Sequence, residues 1–600
     1  MPNKISNDEI AKLLRELAAV LEALGDNVFK IRAYKNAADV VEFLDEPLVS
    51  IWEKGDLEKV QGIGKAIAEK LGDIFATGRS EEVEQIKSRV SPAMFTLLPI
   101  EGLGPKKAYR LTEEFKLTNA NTVLEDLQKI IQDDKISKLE GFGAKSQEVI
   151  RKALENYSPD QEKRMRIDQA DIIADEIVQY LKQCSAIEQV SPLGSLRRRK
   201  STIGDIDLGV STEDPKAVID HVEAYNKVKQ ILVSGGELVR FIHISGENVD
   251  VKIVQPKMWG SLLQHFTGSK QHNVALRERA LSMGLSLSEH GIKKVDKPQA
   301  SLSDKEKSQQ KLQTYKEEQS FYKALDLDWV PPELRENTGE IELADSSKLP
   351  VLITLADIRG DFHTHTNYEW ASSHDYGQNS PEDLIKKGIG LGYEYIGIGD
   401  HNPSASGQSP KMITKSIQDR VQNINNTAEN YKSTIKVFNT LEVDIKPDGE
   451  LALNREACEL LDFVIVSVHS SMQLDKKTMT KRVLKALQYP NVKIIGHPTA
   501  RLINKRLGFE LEWKEIFEAC REKNIALEIN ANPNRLDLNE TLVKQAIEAK
   551  VKLVINTDTH AVENMDYMRY GIDVARRGWA TKESIVNTWE TSDLLKWLKL

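Results

Sequence analysis

Apolar residues recur at helical spacing through the first part of the chain, as in EIAKLLRELAAVLEAL and AYKNAADVVEFL, with Gly and Pro as punctuation. The pattern predicts a small all-α unit over residues 1–85, its first helix capped by Ser6 or Asn7, followed by further helices over 86–155. From there the period changes. A helix (EKRMRIDQADIIADEIVQYLKQ) leads into GSLRRRKSTIGDID, and strand-like runs ELVRFIHI and NVDVKIVQ follow, which predicts a mixed α+β unit over 156–290. Residues 291–340 are charged and mostly helical, with a Lys- and Gln-rich solvated patch at 304–318, and Pro331-Pro332 opens a linker that runs through 341–356. Over 357–600 short apolar runs alternate with helices, as in a βα barrel.

Three stretches repeat one arrangement: LEKVQGIGKAIAEKL, LLPIEGLGPKKAYRL and ISKLEGFGAKSQEVI set Gly62 and Gly64, Gly102 and Gly104, and Gly141 and Gly143 just before a helix. Paired glycines let the backbone approach a ligand where free N–H groups and the helix dipole favour a phosphate. This is the helix-hairpin-helix pattern, which holds a nucleic-acid backbone without reading bases. One copy is only a tight helical turn; three with matched apolar flanks are a repeat.

In GSLRRRKSTIGDID, Asp205 and Asp207 flank Ile206, and strand alternation sets both carboxylates on one face. A bare pair of that kind is ordinarily an acidic strand face. Asp250, on the alternating run NVDVKIVQ, adds a third carboxylate, enough for a two-metal site in which Mg²⁺ ions activate an attacking oxygen and steady a leaving group.

In the last part, apolar runs end in metal-type ligands: His363 and His365, Asp400 and His401, Glu442, His469, His497, and Asp558 and His560, with Asn530 ending a seventh run. A lone histidine after a strand is usually structural, but six of seven runs share the feature. In βα barrels the carboxyl ends of the strands converge, so these ligands would form one pocket. Imidazole mixed with carboxylate suits two or three Mn²⁺ or Zn²⁺ ions and phosphoester hydrolysis.

Composition is that of an ordinary soluble chain, with 40% apolar residues and a net charge of -9, so DNA contact must come from local groups rather than global charge. The length implies about three to five units. Cys184, Cys458 and Cys520 are far apart and lack ligand spacing, which fits a reduced, cytoplasmic setting, and no apolar run is long enough to span a membrane.

Residues 1 to about 340 resemble the family X DNA polymerases, on the Gly194-Ser195 turn, Asp205, Asp207, Asp250 before Lys252, and the turn Phe266-Thr267-Gly268-Ser269 with Asn273 and Arg277. The resemblance implies that Ser195, Arg197 and Arg198 hold the triphosphate, that the Phe266 turn packs on the sugar, that Asn273 meets the base edge and Arg277 the template, and that Asp250 orients the primer 3′-hydroxyl. It also implies a lyase-like first domain, with Tyr34 and a Schiff-base Lys70; Ala66 and Phe29 depart from its pattern, as does His265 before Phe266. Residues 357–580 resemble a PHP (polymerase and histidinol phosphatase) domain, through the HTH, DH, E, SVH, GHP and NTDTH elements in order, which implies a trinuclear site. The family's aspartate after the first two histidines is missing in its usual form: NYEWASSHDYGQNS has Tyr376 before Gly377, and Asp375 or His374 stands in its place. Arg501 and Arg535 are candidate phosphate ligands.

The expected fold is therefore multidomain, α and α/β: helical lyase-like and helix-hairpin-helix domains, a mixed α+β nucleotidyltransferase palm (156–290), a thumb (291–340), a linker, and a distorted (β/α)7 PHP barrel. The expected function is monomeric gap filling on nicked or gapped DNA with dNTPs in base excision repair, joined to 3′-5′ exonuclease, abasic-site endonuclease or 3′-phosphatase activity. The alternatives are a histidinol-phosphatase-type enzyme carrying a DNA-binding module, or a DNA scaffold with an inactive barrel.

Overall fold

The computed structural model describes residues 5, 7–42, 48–60, 62–100, 102–139, 141–156, 164–294, 312–404, 408–472, 474–504, 506 and 508–600. Ser6 and the greater part of the Lys- and Gln-rich patch lie outside the described residues. The chain divides into two compact units, Met1–Glu162 and Lys163–Leu600. Among the described residues, no helix is long and apolar enough to cross a membrane.

The first unit is helical throughout and holds two apolar cores. One gathers Ile10, Leu14, Leu17 and Phe75; the other gathers Met94, Leu103, Leu111, Leu127 and Ile150. The three glycine turns share one geometry. Gly62, Gly102 and Gly141 have φ of 97°, 86° and 85°, a left-handed conformation that a side chain would strain. The next residue then donates back across the turn, Ile63 to Val60, Leu103 to Ile100 and Phe142 to Leu139, at 2.9, 3.0 and 3.0 Å. Gly64 and Gly104 stand at the N-caps of helices Lys65–Thr77 and Pro105–Glu114, so the open amides of each helix face outward just past the turn.

The second unit begins with a five-stranded sheet in the order Gln189–Pro192, Ile206–Ser211, Asn248–Val254, Leu238–His243, Val228–Gly235. Ile206–Ser211 and Asn248–Val254 run parallel with Asp207 opposite Asp250, and on the next, antiparallel strand Arg240 stands opposite Asp250. Register alone therefore sets Asp207, Asp250 and Arg240 in one row on one face.

Seven parallel strands follow in sequential order from Gly360–Thr364 to Leu553–Asn556, and a bridge between Thr364 and Thr559 joins the first to the last. This is the distorted (β/α)7 barrel. Alternation gives several strands an inward series that is apolar at one end and polar at the other: Phe438, Thr440, Glu442; Ala526, Glu528, Asn530; Val554, Asn556, Asp558. The apolar layer of Tyr395, Phe438, Phe463, Ile494 and Val554 packs on Trp597 and Leu598 of the C-terminal helix Thr591–Leu598. The polar layer is left to form the site. A single buried apolar cluster runs from palm residues such as Leu208 and Val251 to barrel residues such as Ile555 and Tyr570.

Strands of the barrel pack too closely at Gly397 for a larger residue, since a Cβ there would lie 2.7 Å from the Phe362 carbonyl oxygen and 2.9 Å from its Cα. Gly397→Ala is expected to cost about 1–3 kcal/mol by overpacking, seen as a lower urea midpoint by tryptophan fluorescence. Gly390→Ala, where a Cβ meets nothing within 4 Å, serves as the control and is expected not to lower it.

Candidate active sites

In the palm, Asp205 stands one residue before its strand and is exposed at the mouth, whereas Asp207 and Asp250 lie on the sheet and are mostly buried. Gly194 has φ of 55° and packs so close to Asp207 that a Cβ would overlap the carboxylate, which explains why the turn needs glycine. Two cations neutralise the row. Arg240 grips Asp250 with two bonds of 2.6 and 2.8 Å, and the Lys252 ammonium sits 3.0 Å from Asp250 and 3.3 Å from Asp207. Lys252 shares a face with Asp250 by alternation along one strand, whereas the Arg240 pairing follows from the register of two strands and was not legible in the sequence pattern. Burial, and after it the Asp205 charge, raise the Asp207 carboxyl to about 6.

Sequence-predicted nucleotide residues gather beside this row, and several are engaged with each other. Arg197 donates to Thr267 Oγ1 and to both oxygens of Glu318, at 3.0 and 2.8 Å. Arg198 pairs with Glu336 at 3.0 Å and donates to the Thr267 carbonyl. Glu318 also receives Arg335 at 2.6 Å, and although burial opposes it, the Arg335 and Arg197 charges hold the carboxyl at about 2. Lys252 lies over the Phe266 ring, 4.8 Å from its centroid. Asn273 donates to the His265 carbonyl at 2.7 Å, Arg277 is exposed, and Ser195 is half-buried at the turn beside Asp207. The two arginines thus brace the Phe266 turn against the palm.

In the barrel, eight of the nine metal-type residues expected at the strand ends converge, Asp400 being the exception. Glu442 is the hub: His497 Nε2 lies 2.8 Å and His469 Nε2 3.3 Å from one oxygen, and His401 Nδ1 3.0 Å, His363 Nε2 3.3 Å and His365 Nε2 3.8 Å from the other. Asp558 Oδ1 lies 3.1 Å from His365 and 3.7 Å from His363, and His560 Nδ1 3.8 Å from the same atom. Asp375, on the longer loop before Tyr376, faces His401 and His560, 3.5 Å from each. Its neighbour His374 instead bonds Asp444 at 2.9 Å. Asp400 is held by Thr366 and Arg420, away from the hub. Arg501 donates to the carbonyls of Arg535 and Leu536, a scaffolding use, while Arg535 Nε stands 3.5 Å from Asp558.

A second layer orients these ligands. His363 Nδ1 meets Glu528 at 2.8 Å, His469 Nδ1 meets Asp444 at 2.6 Å, and Asn530 donates to Asp558 at 3.1 Å. Glu528 and Asp444 each stand two residues from a polar strand-end residue, Asn530 and Glu442, on the same face, a spacing that marks them in the sequence.

Comparison with known proteins matches the helix-hairpin-helix domain family to residues 5–80, the DNA polymerase beta thumb family to 262–336 and the PHP domain family to 361–532. The "DNA polymerase/3′-5′ exonuclease PolX" of Bacillus subtilis (strain 168) is 34% identical over 598 residues, 98% of this chain and 99% of that protein. The chain belongs to the family X DNA polymerases with a PHP domain. Probable phosphatases from Thermoanaerobacter sp. (strain X514) and Clostridium acetobutylicum are 25% identical over 38% and 40% of this family X polymerase and over 89% and 93% of their own lengths.

Lys70 and Tyr34, expected from the resemblance to form a lyase site, lie together in the first unit. Lys70 is mostly buried beside Tyr34, donates to the Ala66 carbonyl at 3.0 Å and forms an ion pair with Glu82. Burial alone would lower its amine, but the Glu82 bond and charge carry it above the ordinary lysine value, the direction opposite to that of a ready nucleophile. Glu82 lies outside every motif, on the neighbouring helix Glu81–Lys87.

Two expectations follow from these environments. Between the ordinary carboxylate range and about pH 6 the metal-free fold holds a proton on Asp207 that the unfolded chain has released, so stability declines as pH rises through that window. Mg²⁺ binding needs the carboxylate and strengthens over the same window; calorimetric Mg²⁺ titrations at about pH 5 and about pH 7.5, read as the difference between wild type and Asp207→Asn, are expected to show it, and equal affinities would refute it. For Lys70, borohydride trapping on a 5′-deoxyribose phosphate end is expected to increase in Glu82→Gln and vanish in Lys70→Ala; an adduct persisting in Lys70→Ala would exclude this lysine.

Proposed function

We propose that the chain is a DNA-directed DNA polymerase that fills short gaps during base excision repair and removes nucleotides from a 3′ end with its PHP barrel. The observation that carries the polymerase reading is the row in which Asp207 and Asp250 stand opposite each other on parallel strands with Asp205 at the mouth. Mg²⁺ fits this site, because three carboxylates converge where, among the described residues, Lys252 and Arg240 are the cations paired with them. In the barrel, His363 Nε2, His365 Nδ1, His401 Nδ1, His497 Nδ1, His560 Nε2 and Glu442 Oε2 are buried without a hydrogen bond among the described residues, which suits two or three Mn²⁺ or Zn²⁺ ions. When bound, such ions act as Lewis acids on phosphate oxygens and lower the pKa of attacking water or hydroxyl.

The chain's own residues have separate tasks. Asp250 orients the primer 3′-hydroxyl and receives its proton, with Arg240 holding the carboxylate in place. Ser195 and the turn at Arg197 and Arg198 receive the triphosphate, and the braced Phe266 turn receives the sugar. In the barrel, Glu528 and Asp444 fix the rings of His363 and His469, and Arg535 beside Asp558 offers a positive charge to the scissile phosphate. The helix-hairpin-helix turns hold the DNA backbone through their open amides, so binding weakens with salt.

The similarity to probable phosphatases keeps a second reading of the barrel, hydrolysis of a small phosphomonoester such as histidinol phosphate. One assay separates the functions: gapped and 3′-mismatched DNA with Mg²⁺ and then Mn²⁺. Asp205→Ala with Asp207→Ala is expected to reduce extension by about a thousandfold and spare 3′ nucleotide removal, and His363→Ala or Asp558→Ala to do the reverse, each by removing several kcal/mol of charge stabilisation. Extension surviving the first pair, or histidinol phosphate hydrolysed faster than DNA, would overturn the corresponding half.

A further inference from the structure

The barrel helix Met568–Arg577 ends against the palm, and its last residue enters the nucleotide turn. Arg577 Nη1 donates to the Arg198 carbonyl at 2.7 Å and to Glu336 Oε1 at 3.2 Å, while Nε and Nη2 hold Glu540 at 3.2 and 2.8 Å. The same Glu336 oxygen receives Arg198 Nε at 3.0 Å, and Arg198 continues to the Thr267 carbonyl. One carboxylate oxygen thus ties a barrel guanidinium to a palm guanidinium. One helical turn earlier, on the same face, Asp573 takes Arg199 Nε at 2.8 Å, with Asp171 gripping the other end of that side chain at 2.6 and 2.8 Å. Arg577 is 3% and Arg198 12% exposed, so water screens these links little.

We propose that Arg577 of the barrel is a positioning residue for nucleotide addition: through Glu336 and the Arg198 carbonyl it holds the palm turn and, behind it, the Phe266 turn in the geometry that receives a dNTP. This rests on the reading of that turn as the triphosphate site. The physical need is plain. Three consecutive arginines on a tight turn repel one another: Glu318 answers Arg197, Asp171 and Asp573 answer Arg199, and Arg198 shares Glu336 with Arg577, whose own charge is offset by Glu540. The alternative, that Arg577 merely fills a buried hole, requires neither the carbonyl bond nor the shared oxygen.

The test uses the full chain. Steady-state single-nucleotide gap filling in Arg577→Gln is expected to show a dNTP KM raised about three- to tenfold with kcat changed less, and Mn²⁺-dependent 3′ nucleotide removal unchanged. Arg577→Lys is expected to recover part of the loss. Glu540→Gln, which loosens Arg577 without touching the palm, is expected to raise the KM in the same direction and covers the case in which Arg577→Gln does not fold. An unchanged KM in folded Arg577→Gln, or equal losses in both activities, would overturn the inference while leaving the triphosphate reading intact. An unchanged KM in Arg198→Gln would overturn that reading and the inference with it.

Discussion

A carboxylate taken out of water needs a cation beside it, and this requirement organises the second unit of the chain at three places. In the palm, Arg240 and Lys252 answer Asp207 and Asp250. In the barrel, five histidines surround Glu442. Between them, Glu318, Glu336 and Glu540 are matched by Arg197, Arg198, Arg335 and Arg577. The first two sets sit where ions would bind and the third does not, and the difference lies in what completes each one. At the third, arginine forks satisfy the carboxylates. At the first, the lysine and arginine leave Asp207 with a raised pKa, and at the barrel, ring nitrogens and a glutamate oxygen are left without hydrogen bonds.

The polymerase and barrel sites are built by different geometries that serve the same end. The palm uses register, so that residues distant in sequence meet across neighbouring strands. The barrel uses alternation, so that strands such as Lys436–Asp444, Ala526–Asn530 and Leu553–Asn556 deliver an apolar residue to the packed floor and a polar one to the mouth. This is why substitutions in the floor and in the site are chemically separable although they lie on the same strands.

Much of this was legible in the sequence. Alternation around Asp250, the glycine repeats and the polar residues at strand ends each follow from a local period, and the barrel lies where those periods placed it, with its strand-end histidines and acids gathered around Glu442 and Asp400 turned to Arg420. What was not legible depends on pairings between segments. Arg240 meets Asp250 only because two strands pair antiparallel in one register; Glu82 reaches Lys70 from another helix; Glu318 and Glu336 come from beyond a long intervening stretch to engage Arg197 and Arg198. Asp375 could be named as a substitute but not preferred to His374, since adjacent loop residues point in directions that only the folded loop decides.

The helix Met568–Arg577 gives the domain boundary a different meaning from the one drawn along the chain. By sequence the polymerase half stops at the linker after the Pro331-Pro332 pair, but by charge it extends to Arg577. A polymerase half cut free at that linker would carry Glu336 with half of its counter-charge missing and an Arg198 carbonyl without its donor, and a barrel cut free would keep Arg577 with Glu540 alone. The two halves are thus neighbours that share an electrostatic wall, with counter-charges supplied from both sides.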